Sequence, residues 1–136
     1  MMKILTLTLA MVLTLTSLNA NATQYKFIAA DRSIETKMCV YAGNNNTVKL
    51  KRAIQYHAMG STINTKRFAV NNITCNDLVM AHFAHKYDAS DTFKFLNRFT
   101  AQKNKIPTTS VEIKDVAAVL NSTNEETQII YVSSTK

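Results

Sequence analysis

The sequence predicts a mainly α fold: four to five short helices as two αα-hairpins, joined by one disulfide, with a small C-terminal β-hairpin. Three observations lead there. Apolar residues recur at the 3.6-residue helical period in several windows. Glycine occurs only as Gly43 and Gly60 and proline only as Pro107, too few chain-breakers for a many-turned β-sandwich. The cysteine count is two, Cys39 and Cys75, an even number that reads as one bridge in an exported chain.

Export is read from the first residues, "MMKILTLTLAMVLTLTSLNANATQ". Lys3 supplies a positive start, Ile4 to Leu18 is apolar apart from threonines and Ser17, and "ANA" at Ala20 to Ala22 fits a small-x-small cleavage site. The run is shorter and more poorly flanked than a membrane span, which needs about 20 apolar residues. No cysteine follows it, so a lipoprotein signal is not indicated. A signal peptide at 1–22 is therefore expected, cleaved near Ala22, with an uncleaved amphipathic anchor as the alternative. The product would be periplasmic or secreted, with no transmembrane segment after cleavage.

Residues 23–100 are expected to be the helical domain. Asp31 to Ala42 reads as a helix capped by Asp31 or Ser33, with Ile34, Met38 and Tyr41 on one face and Cys39 and Ala42 at its edge. Gly43 stands where helices end in the left-handed conformation, and Asn44 to Asn46 form a polar turn. Asn46 caps a second helix, "TVKLKRAIQYHAM", whose buried stripe is Leu50, Ala53, Ile54 and His57 and whose stop is Gly60. A shorter helix follows around Asn64 to Val70. Asn76 or Asp77 caps "LVMAHFAHKY", with Val79, Met80, Phe83, Ala84 and Tyr87 inward. Ser90 caps "DTFKFLNRF", with Phe93, Phe95, Leu96 and Phe99 on one side and Lys94, Asn97 and Arg98 on the other. The paired helices are faintly similar to ankyrin repeats, but "TPLH" is missing and three repeats are normally needed to bury such a core.

Residues 101–110, "AQKNKIPTTS", read as a linker, and 111–136 as a C-terminal extension. Thr109 and Glu112 could form a capping box, placing Ile113, Val116, Ala117 and Leu120 on a helical face. Against this, "IIYV" at Ile129 to Val132 is strand-like and "SVEIKDV" alternates well enough to pair with it, so the hairpin is favoured.

Few residues offer chemistry. His82 and His85, one turn apart, are weak metal candidates, because zinc needs three or four convergent ligands and His57 belongs to another helix. Cys75 precedes a helix, where thiolates are stabilised, but no C-x-x-C occurs, so a structural disulfide is preferred to free thiols or an intermolecular bridge. No "GxSxG", "HExxH" or glycine-rich phosphate loop is present, so neither an enzyme nor a cofactor is expected. The net charge is +7, with Lys49, Lys51 and Arg52, then Lys66 and Arg67, as candidates for an anionic ligand. A solvated helix face is the plainer explanation of the same residues. Aromatic residues fall mostly on the apolar faces, so nucleic acid is not expected as a partner.

Phe27 to Phe99 resembles a family of small exported bacterial proteins classed as a domain of unknown function. The likeness rests on "FIAADRSIETKMCVYAGNN", "VKLKRAI", "CNDLVMAHFAHKY" and "FLNR". Such proteins would carry Gly at the position of Asp77. The resemblance implies a periplasmic helical domain with paired cysteines and no nameable activity. The function expected is therefore a non-enzymatic binding or envelope-associated module with an unknown protein or anionic envelope component as partner. The alternatives are a basic-face binder of anionic ligands or surfaces, and a metal-binding protein using His82 and His85.

Overall fold

A computed structural model describes residues 23–108 and 127–136. The leader at 1–22 and the helix-or-strand segment at 111–120 lie outside the described residues. The chain runs β1 (Tyr25–Ala29), α1 (Ile34–Gly43), α2 (Thr47–His57), α3 (Ile63–Asn72), β2 (Thr74–Cys75), β3 (Leu78–Val79), α4 (Met80–Lys86) and α5 (Ser90–Phe99). A 3-10 turn at Gln102–Asn104 follows, and β4 (Gln128–Val132) and β5 (Ser134–Thr135) close the chain. The fold is mainly α with small sheets.

The expected helix pairs form: α1 packs on α2, α4 packs on α5, and α1 also meets α4. Between them lie the fully buried Met38, Leu50, Ile54, Ile73, Met80, Phe83 and Leu96. The Cys39–Cys75 disulfide, spanning 36 residues with Cα atoms 5.5 Å apart, fastens α1 to β2 inside this core. Closing a loop of that length is worth about 3.8 kcal/mol by unfolded-state entropy.

Several local expectations are corrected. Gly43 is not left-handed; that conformation falls on Asn45, at φ 53°. Gly43 instead gives room to Phe27, since a Cβ there would lie 2.7 Å from the ring. Likewise Met59, at φ 48°, turns the chain after α2, not Gly60. Asn76 and Asp77 do not cap α4. At φ 46° and 64° they are the two central residues of the tight β2–β3 hairpin, a turn whose twist suits antiparallel strands. α4 starts behind Val79 without a side-chain cap.

Ser90 does not cap α5 either. Asn45 does, from across the molecule: its Oδ1 accepts from the N–H of Asp91 at 2.8 Å and of Thr92 at 3.0 Å. The Thr92 hydroxyl donates back to the Ala42 carbonyl at 2.7 Å, so the end of α1 and the start of α5 hold each other. Asn46 and Ser33 cap α2 and α1 as expected, accepting from Lys49 and Thr36. Asn97, expected on the polar side of α5, is buried and bonds both the N–H and the carbonyl of Ile106. It thereby ties the expected linker onto the helix.

The strand expected at "IIYV" is β4, and its described partner is β1, paired in parallel from Tyr25↔Gln128 to Ala29↔Val132. β5 adds antiparallel to β2, Thr74 facing Thr135 and Cys75 facing Ser134. The tail is thus sewn onto the helical domain. Asn76 clamps the bend between β4 and β5: its amide donates to the Tyr131 carbonyl and its Oδ1 accepts from the Ser133 N–H. Tyr25 and Phe27 of β1 stack edge-on with Phe83 of α4 and with Tyr87 just past its end, at centroid distances of 5.0–5.8 Å, covering that end of the core.

Candidate functional site

The predicted basic residues lie on α2 and α3, and the structure divides them. Lys49 sits over the Tyr41 ring of α1 (5.9 Å), whereas Lys51 and Lys66 sit over Phe95 (5.2 Å) and Phe99 (5.8 Å), neighbouring rings of α5. Each ammonium lies within cation–π reach of its ring. Arg52 and Arg67 are exposed. Arg52 lines a shallow open depression with Gln55, Tyr56, Met59 and Gly60. A second depression shares Met59 and adds His57, Asn64, Thr65 and Phe68.

The same surface exposes large apolar side chains. Tyr56 is 84 % exposed, Met59 96 %, Phe68 61 % and Ile63 60 %. The helical period explains Tyr56: Leu50, Ala53 and Ile54 occupy the inner arc of α2, which leaves Val48, Arg52 and Tyr56, four residues apart, on the outer one. On α3 only Ala69 and Val70 are buried, so Phe68 and Ile63 stay outside. From Asn44 to Asn76 the chain contains no Asp or Glu. The stretch that carries these apolar side chains also carries Lys49, Lys51, Arg52, Lys66 and Arg67 and therefore contributes one sign of charge.

One carboxylate reaches this region from behind. Glu35 is buried on α1 and meets His57 Nε2 at 3.1 Å and Lys136 Nζ at 2.5 Å. The Lys136 ammonium is the main influence holding the Glu35 carboxyl below its ordinary value; burial opposes it, and His57 adds to the lowering. With Glu35 ionised, His57 Nε2 is the donor, and Nδ1 is buried without a hydrogen-bond partner among the described residues. Glu35 thus presents no uncompensated negative charge to the basic face. Just ahead of the same end of α1, Ser33, through side chain and backbone, and Thr36 hold the Asp31 carboxyl below the usual carboxylate range.

His82 and His85 do not converge. His82 Nε2 is 2.6 Å from the Asn104 carbonyl, and the His85 ring meets Phe93 edge-on at 4.8 Å. Both are half-buried, not on the solvent side where helical periodicity puts them. Among the described residues no three His, Cys, Asp or Glu side chains gather as a metal site.

The family model described as "Protein of unknown function (DUF3718)" matches residues 38–118, more than half of the chain. The chain belongs to the DUF3718 family. The match begins within α1, takes in both cysteines and the whole α2–α3 face, and ends before β4. No curated protein and no solved structure matches the chain.

In this DUF3718 protein, sequence reasoning found the cations and missed Tyr56, Met59, Ile63 and Phe68. Two signals were available. Tyr56 falls off the Leu50–Ala53–Ile54 stripe, and the acid-free stretch coincides with the apolar residues that no helical stripe absorbs.

Proposed function

We propose that this protein is an exported, non-enzymatic binding module that acts in the periplasm by holding an anionic partner on its α2–α3 face. The supporting observation is the coincidence, over an acid-free stretch, of five cations with five exposed large apolar side chains, Val48, Tyr56, Met59, Ile63 and Phe68. A merely solvated helix face has no reason to expose Tyr56, Met59, Ile63 and Phe68 together, since patches of this kind mark interaction sites. Periplasmic export draws on the leader-like first residues and on a core disulfide, which persists in oxidising compartments. Among the described residues no helix is long and apolar enough to cross a membrane.

The test separates the face from net charge. R52Q/R67Q and K26Q/K37Q lose the same charge, and all four positions are exposed. On an immobilised polyanion such as heparin, R52Q/R67Q should elute at clearly lower salt than K26Q/K37Q. Equal elution would reduce the interaction to net charge and refute the proposed face. Mass analysis of the exported product should show an N-terminus at Thr23; an intact Met1 would refute the leader.

A further inference from the structure

We infer that the anionic partner is a lipid bilayer surface, with α2 and α3 lying in its headgroup region and Tyr56, Met59, Ile63 and Phe68 inserted; this rests on the binding reading above. The first support is shape. The two depressions are shallow, open and joined through Met59, which is almost wholly exposed, so the face presents protruding tips and no enclosed cavity for a small anion. A soluble polyanion would use the cations and gain nothing from these tips, which suit the boundary between headgroups and acyl chains.

The second support is charge placement. Lys49 rests on a ring of α1 and Lys51 and Lys66 on rings of α5, so cations stand where α2 and α3 meet both neighbouring helices, while Arg52 lines the depression beside Tyr56 and Met59. Cations beside exposed apolar tips let the tips sink while the charged groups meet headgroup phosphates. No acid between Asn44 and Asn76 opposes that approach, and Glu35 behind His57 is compensated by Lys136.

The chain has no tryptophan, so F68W places a single reporter in the patch. Full-length protein is mixed with vesicles of phosphatidylcholine, or of equimolar phosphatidylcholine and phosphatidylglycerol, and followed by co-sedimentation and by tryptophan emission. Wild type should sediment with the anionic vesicles, and F68W emission should shift to the blue only with them. R52Q/R67Q should bind roughly 25-fold more weakly at low salt, about fivefold per cation. Y56S/M59S/I63S, at exposed positions that leave the core intact, should lose the part of the binding that survives high salt. Anionic-vesicle binding with no blue shift and no effect of the serine variant would mean adsorption by charge alone and overturn the inference. Arg52- and Arg67-dependent binding to heparin but not to vesicles would overturn the lipid assignment while leaving the binding face standing. Loss of both would end both readings.

Discussion

Replacing Asn45 by alanine should destabilise the protein out of proportion to a surface polar residue. Asn45 does two jobs. Its Oδ1 takes the N–H groups of Asp91 and Thr92, the free amides at the start of α5, where neither Ala89 nor Ser90 makes a side-chain cap bond. Loss of a side-chain N-cap costs about 1–2 kcal/mol. Its backbone is at φ 53°, which Asn tolerates and Ala resists by about 1 kcal/mol. Together N45A should cost about 2–3 kcal/mol, and the Tm should fall by about 10 °C. N45G loses the cap but relieves the backbone, so its cost should be about 1 kcal/mol. N45D keeps an acceptor but replaces the amide that donates to Asp91 Oδ2 at 3.1 Å, setting two carboxylates together, and should fall between them. Urea and thermal unfolding followed by circular dichroism measure all three. If N45A lies within about 0.5 kcal/mol of wild type, or N45G is less stable than N45A, the long-range cap is not what holds α5.

D77G should stabilise the protein by about 0.5–1 kcal/mol, because Asp77 occupies the second central position of the β2–β3 turn at φ 64°, where glycine carries no Cβ penalty; urea midpoints would show it, and a loss of stability would count against a primed turn. Acid should weaken the fold through Glu35. Its folded pKa lies below the ordinary 4.5, so its contribution is present above that value and lost as pH falls from there toward the folded pKa. E35Q should flatten the decline of Tm in that window, and K136Q should make it shallower; a parallel decline in all three would refute the ion pair's role. Joint C39A/C75A substitution should lower stability by about 3–4 kcal/mol, read from urea curves against wild type, and an unchanged midpoint would show that the unfolded chain gains little from the lost loop constraint.

Periodicity made α1, α2, α4 and α5 legible, because each buries residues three and four apart, whereas α3 buries only Ala69 and Val70. The Leu50–Ala53–Ile54 stripe is an example, and the Asn46 cap was legible because its bond to Lys49 closes within one turn. The disulfide was legible for a different reason: the two cysteines have only each other. The strands were harder. β1 pairs with a strand about a hundred residues downstream, and β2 and β3 hold two residues each, too short for alternation to register. The site was half legible. Lys49, Lys51, Arg52, Lys66 and Arg67 announce themselves by charge, whereas the exposure of Tyr56, Met59, Ile63 and Phe68 depends on which helix faces find partners.

By itself, then, the sequence determined the elements that close on themselves: helix positions, the caps of α1 and α2, cysteine pairing and the charge of the α2–α3 stretch. Only the tertiary structure decided which side chains would serve across distance. Asn45 became the cap of α5, Asn76 the clamp on the C-terminal strands, Asn97 the anchor of Ile106, and Gly43 the room for Phe27. The physical reason is common to all of them. A polar or small residue can serve many partners, and the one it takes is set by which distant group the packed core delivers within hydrogen-bond or van der Waals reach.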